Sequence, residues 1–517
     1  MKKIIIIIFI TAILFVTAVS CKTKEAEPLP SQTAPGIEIP ADIINIYRPP
    51  VQSMQVFKDL DNWENAIEEI YGIKIKIHNI SPLYDSKIPY GNYYPQAIAD
   101  GNISGLIELR SWHYGNIPLL IELGLILPLD EYLADNPTYQ SLPGYMRKAF
   151  VMPDGQTWAL STSSPLGIYS RKLKKEWLDN LKLSLPRDLN ELYDISKQFA
   201  YEDPNGNDLQ DEHGMDIITN MGARMLNDIF LANGCYLSRY ATTSISYDYE
   251  TEAYEDAVLK PGMLESLIYI KSLYDEKILT LNSSSDFMEK DTSGNFYSIS
   301  INYDYRKIDI NDWYEVHSFT DAPNSIIGNI PDKCFILTAN TPNPKETINA
   351  FVNTFLSDIQ GMAMSNFGLE GKNYTYKDKV LTNLYQPDGN ILTNYSEENM
   401  NLTHYNFSML LDQGVTVIDP ELTDINIDGI MRETQLYTDF YNDGRLFIDP
   451  NYLLHKDFGK IDARFSSAFV SYLYNIDSIS PQEFIDNYIK DAKTAGWQQI
   501  LDDLNEKSGS TAHYNYD

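Results

Sequence analysis

A chain of 517 residues with 72 acidic against 40 basic side chains carries a formal charge of -32. That balance excludes an ordinary nucleic-acid binder, because neutralising phosphates needs a basic face. Aromatic residues make up 12% of the chain, Tyr alone 37 positions, which excludes wholesale disorder. Cys21, Cys235 and Cys334 are too few for a disulfide framework or a zinc cluster.

The chain opens with "MKKIIIIIFITAILFVTAVSC". Lys2 and Lys3 precede an apolar run from Ile4 to Val19, the pattern of a secretory signal too short for a stable span. Ala18 and Ser20 before Cys21 resemble a bacterial lipobox, with Ala18 where Leu is usual. Residues 1–20 are therefore expected to be removed and Cys21 to carry diacylglycerol and a fatty acyl chain such as palmitate. An ordinary cleaved signal or an uncleaved anchor is the alternative. Residues 21–41 read as that lipidated Cys and a flexible Pro- and Glu-containing stalk. About 475 residues remain, enough for two or three cored domains, and no second stretch approaches ~18 apolar residues in a row.

Beyond the stalk, "DIINIYRP" (42–49) predicts a strand, Val56–Ile70 a helix and Ile73–Ile80 a second strand, a β-α-β order that implies a parallel pair. "AIADGNISGLIELRSWHYG" predicts a helix feeding a strand. "IPLLIELGLILPLDEYLADNP" predicts a helix closed by Gly124, with another starting near Asp130. Residues 154–172 predict a turn and two strands. Two helices follow, the second running through an acidic loop into the strand Met215–Asn220. The class is α/β.

In that loop, "EDPNGNDLQDEHG" (202–214), Asp203, Asn205, Asn207 and Asp211 occupy positions 1, 3, 5 and 9 of an EF-hand-like spacing, with the Leu209 carbonyl at position 7. Position 6 is Asp208 instead of Gly, and position 12 is Gly214 instead of a bidentate Glu; Glu212 at position 10 is placed to replace that carboxylate. On pattern alone, a calcium loop and a solvated acidic turn fit equally well.

No His-Glu-x-x-His, Cys-x-x-Cys, Gly-x-Ser-x-Gly or Walker motif occurs. The chain is therefore expected not to be an enzyme, although a pair of distant glycosidase carboxylates leaves no sequence signature. Cys235 and Cys334 either form one bridge or stay as separate buried thiols, the second being the expectation.

The order of parts resembles the extracellular solute-binding proteins of ABC importers, family 1 type, in particular the lipoprotein branch that handles oligosaccharides. The resemblance is carried by "AIADGNISGLIEL", "LIELGLILPLDEYL", the 154–199 stretch beginning "DGQTWALSTSSPLGIYSRK", "DPNGNDLQDEHG", "FGLEGKNYTYKD" and "FIDNYIKDAKTAGWQQILDDLNE", spread over most of the mature chain. It implies a type II fold of two α/β lobes that close about a hinge of crossing segments. Lobe one is expected at 42–163 plus 320–355 and lobe two at 164–319 plus 356–517. The loop is similar to that of the alginate-oligosaccharide-binding type, which implies a structural Ca2+ held by Asp203, Asn205, Asn207, the Leu209 carbonyl, Asp211 and Glu212. Further implications are a carbohydrate ligand, ABC permease subunits as partners, a monomer, and a lipid anchor on the extracellular face of the cytoplasmic membrane. A sensory or adhesive binding protein without transport is the alternative, and a polysaccharide-degrading enzyme a weaker one.

Sugars present hydroxyls around apolar ring faces, so a carbohydrate cleft needs aromatic platforms beside planar polar groups, placed just beyond strand ends. By that rule Trp112, Tyr169, Arg171, Tyr303, Tyr305 and Arg306 are candidate ligand contacts. His113 is a hydrogen-bonding bystander, and Trp158, Trp177 and Trp497, at apolar periodic positions, are core.

Overall fold

The computed structural model describes residues 43–48, 57–79, 90–110, 114, 116–152, 154–162, 168–237, 243–248, 251–284, 292–299, 312–322, 325–327, 331, 333–384, 402, 407–418, 424–447, 464–507, 509–512 and 516. Among them no helix is long and apolar enough to cross a membrane.

The alternating runs of residues 43–48 and 74–79 begin a five-stranded sheet. Ile43–Arg48 pairs in parallel with Lys74–Asn79 and with Leu106–Arg110. Lys333–Leu337 joins antiparallel, Lys333 opposite Arg110, and Leu160–Ser161 closes that edge. Successive side chains point to opposite faces. Ile44 and Ile46 accordingly pack with Trp63, Ile67, Phe351 and Phe355, while Tyr47, Ile107, Leu109 and Ile336 pack with Tyr94, Ile117 and Leu120. The helix expected from Val56 spans Leu60–Tyr71, because Asp59 before it stands at φ -105, ψ 27, outside helical geometry.

The second lobe is built on Tyr169–Lys174, flanked on one side by Asn295–Ile299 and on the other by Trp313–Val316, each antiparallel to it. Met215–Ile218 and Leu279–Asn282 pair in parallel beside them, linked through a bridge between His213 and Ser293. The expected strand at 215–220 stops at Ile218, where Thr219–Met221 turns into a 3-10 helix. Trp177, Phe199, Phe230, Phe465, Phe469, Tyr488 and Trp497 fill this core, in one apolar cluster continuous with a face of the first sheet. Trp158 is only half-buried, because its indole N–H donates to the exposed Asp154 at 2.8 Å. Cys235 and Cys334 are both buried free thiols, and burial pushes the Cys235 thiol up to about 12.

The chain passes between the sheets after Thr162 and again after Val316. A third connection is the helix Asp424–Asn442, which sets Tyr437 against Tyr145 at 5.5 Å. Its Arg432 bonds Glu315 at 2.9 Å on the edge strand of the second sheet. Behind it, Leu446–Phe447 pairs with Ile326–Ile327. Packing divides the C-terminal part in a way that the expected boundary at 355 does not. Leu356, Met362, Phe367, Tyr374, Leu402, Val417 and Tyr437 pack with the first sheet. Residues of the helices Arg464–Tyr474, Pro481–Thr494 and Trp497–Lys507 pack in the second core.

Candidate functional site

Strand direction brings the working ends of both sheets to the crossing segments. In the first sheet the carboxyl ends of Ile43–Arg48 and Leu106–Arg110 meet the amino end of Lys333–Leu337. Three cations converge there on one carboxylate: Arg48 Nε lies 2.9 Å from Glu108, Arg110 Nε 2.9 Å and Lys333 Nζ 3.4 Å. Burial alone would raise the Glu108 carboxyl, but Lys333, Arg48 and Arg110 outweigh it and hold it at about 2. Nearby, Tyr47 stacks on His78 at 4.6 Å, and the His78 Nε2 contacts Asn45 Oδ1 at 2.7 Å.

In the second sheet Ile299 lies opposite Tyr169 and Tyr297 opposite Arg171, so this face starts where the first crossing ends. Arg171 donates to both Asp228 oxygens, at 2.8 and 2.6 Å, and sits above the Tyr297 ring at 5.4 Å. Tyr169 stacks on Tyr297 at 5.7 Å, and the Arg224 guanidinium lies over the Tyr169 ring at 5.1 Å. Tyr169 is 2% exposed, Arg171 0% and Tyr297 1%.

The acidic loop joins the helix Leu189–Tyr201 to the strand Met215–Ile218, at the amino end of that strand and so away from the crossings. Asp203 accepts from the amides of Asn207 at 3.0 Å and Asp208 at 2.9 Å, and Asn207 Oδ1 accepts from Leu209 N at 2.7 Å. These Asx-type bonds fold the loop on itself. Asp208 stands at φ +59, the left-handed conformation for which position 6 ordinarily uses Gly. At position 12, a Cβ on Gly214 would come within 2.1 Å of the Ser196 carbonyl oxygen, so no Glu fits there. The carboxylate at position 10, Glu212, is instead 6% exposed, and neither of its oxygens has a hydrogen-bond partner. Burial raises its carboxyl, and Asp211 and Asp203 add to the rise. An orphaned buried carboxylate beside hard oxygen donors suits a hard cation. Among the described residues, however, no three His, Cys, Asp or Glu side chains gather around one point: the Asn207 carboxamide, which donates at 3.3 Å, approaches Asp211.

No protein-family model matches the chain. The polygalacturonan/rhamnogalacturonan-binding protein YtcQ of Bacillus subtilis is 26% identical over 119 residues, 23% of this chain and only about a quarter (24%) of YtcQ. Lipoprotein LipO of the same organism is 22% identical over 394 residues, 69% of this chain and 72% of LipO. An HMO-binding, ABC-transporter-associated solute-binding protein of Bifidobacterium longum infantis superposes with a TM-score of 0.57 at 15% identity, covering 91% of this chain and 99% of that one. The chain has the two-lobed fold of the extracellular solute-binding proteins. An EF-hand mutant of the Streptococcus pneumoniae ABC-transporter substrate-binding protein FusA, in complex with fructo-nystose, superposes with a TM-score of 0.52 at 11% identity over 90% of this chain and 99% of FusA.

Within this solute-binding fold, Tyr169 and Arg171 are brought together with Tyr297, Arg224 and Asp228. Trp112, His113, Tyr303, Tyr305, Arg306 and Cys21 lie outside the described residues. Sequence reasoning did not single out Tyr297, Asp228 or the Glu108 cluster. The alternation of "GNFYSI" and "LIELR" was a signal for strands ending at those places, but the partners are distant in sequence.

Proposed function

We propose that this is a lipid-anchored extracellular solute-binding protein that captures an oligosaccharide between its lobes and delivers it to an ABC permease. The observation that carries the reading is the convergence of both sheets' strand ends on two crossing segments, the position at which α/β folds hold ligands and hinges enclose them. Arg224, half-buried over the Tyr169 ring, brings a planar polar group to this end of the second sheet, which suits a ligand with peripheral hydroxyls. The sugar-binding activities of YtcQ and FusA and the lipoprotein character of LipO support the ligand class and the anchor at Cys21. The test is a thermal-shift screen of the mature protein against neutral and uronic oligosaccharides, in which a bound ligand raises Tm by mass action. Release of reducing ends instead would point to a hydrolase, and unchanged oligosaccharide uptake in a deletion strain would point to a sensor.

We further infer that the loop holds one structural Ca2+. Asp203, Asn205, Asn207, Asp211, Glu212 and the Leu209 carbonyl would hold it, and the ion would supply the positive charge that the buried Glu212 carboxylate lacks. The left-handed Asp208 and the orphaned Glu212 oxygens support this, as does the EF-hand of FusA. Its task is to fix a long helix-to-strand connection. Metal analysis of the protein purified without chelator tests it.

A further inference from the structure

We propose that the Tyr297 hydroxyl is a ligand contact on the second lobe, bonding a hydroxyl of the bound oligosaccharide; this rests on the carbohydrate-binding reading above. Tyr297 is 1% exposed, yet its hydroxyl has no hydrogen-bond partner. A buried phenol without a partner is costly, and such groups persist where something else completes them. The groups around it are engaged elsewhere. Arg171 donates to Asp228, and Asn295 donates to Ser196 Oγ and the Gly214 carbonyl, both at 2.7 Å. Burial raises the phenol well above its ordinary range, so it keeps its proton and remains a donor.

The location favours a solute over a purely internal partner. Tyr297 pairs with Arg171 two register steps from the Ile299–Tyr169 end of the sheet, on the same face as Tyr169. Opening of the two lobes gives access to that end, and closure buries what has entered. A sugar hydroxyl both donates and accepts, so it satisfies the phenol without a charge that the Arg171–Asp228 pair would have to balance.

The experiment compares wild type with Tyr297→Phe in the mature protein, measuring apo Tm and Kd for trigalacturonate and for nystose. The expected result is an apo Tm unchanged or raised in Tyr297→Phe, because nothing bonded is lost, with Kd weakened about 5- to 10-fold for a sugar that wild type binds. A lowered apo Tm with unchanged Kd would overturn the proposal, assigning the hydroxyl to a structural water. Equal Kd values for the two proteins at unchanged Tm would overturn it as well. Wild type that binds neither sugar would instead remove the reading on which the proposal stands, an outcome distinguished by the wild-type titration alone.

Discussion

Arg171, on the strand that follows the first crossing, and Asp228, on the helix Asn227–Ala232, form a two-pronged ion pair at 2.8 and 2.6 Å with both side chains buried. It fixes the first strand of the second lobe to the helix behind it. Removing one partner leaves the other charge in the interior, which costs roughly 3–5 kcal/mol. Asp228→Ala is therefore expected to lower the unfolding free energy by about that much, and the double variant Arg171→Met/Asp228→Leu by less. Denaturant unfolding of the single and double variants checks the order; a double variant as unstable as the singles combined would contradict it.

Stability is expected to depend on pH through two buried glutamates of opposite sign. Glu108 is held at about 2, below its ordinary 4.5, so its contribution is present above 4.5 and is lost as pH falls through 2. Glu255, on the strand Ala253–Asp256, is raised to about 7 by burial, with Lys260 pulling it back and Asp248 pushing it up. Its contribution is present below 4.5 and is lost as pH rises through 7. Each shift is worth on the order of 3 kcal/mol. Glu255→Gln should remove the decline between pH 4.5 and 7, which thermal unfolding across that range measures.

Chelation is expected to lower Tm without abolishing the fold, since both cores are independent of the acidic loop. Asp203→Ala combined with Asp211→Ala should make Tm insensitive to chelator. Calorimetry that detects no calcium uptake by chelator-treated wild type would leave the loop as an acidic turn.

Trp112 follows the strand Leu106–Arg110 by two residues. Stacking a sugar ring on an indole buries roughly 60–100 Å2, about 1.5–2.5 kcal/mol at ~25 cal/mol per Å2. Trp112→Ala should weaken binding by about 10- to 70-fold with little loss of stability. A core tryptophan would instead cost about 3–5 kcal/mol of stability, so affinity and unfolding measured on the same variant separate the two roles.

Local pattern carried much of the fold. The alternation of Ile43–Arg48 and of Lys74–Asn79, with an amphipathic helix between them, implied the parallel pair in which Ile43 stands opposite Lys74. The oxygen spacing of Asp203, Asn205, Asn207 and Asp211 marked a turn of the chain onto itself. What stayed hidden depends on distance in sequence. Arg171 and Asp228 are 57 residues apart, and Lys333 reaches Glu108 only because Lys333–Leu337 pairs antiparallel beside Leu106–Arg110. Nor did periodicity reveal that Leu402 and Tyr437 pack with the first sheet, since an apolar stripe does not name its partner. The departure at Gly214 had a cause outside the loop, in the Ser196 carbonyl of the preceding helix.

The central claim is that the protein binds an oligosaccharide without transforming it. Isothermal titration of the mature, calcium-loaded protein with trigalacturonate, nystose and neutral oligosaccharides, followed by assay of the cell contents for reducing ends, tests it most directly. The account predicts saturable one-to-one binding of at least one of these sugars, with the sugar recovered intact. No binding across the whole set, or cleavage of a bound sugar, would contradict it.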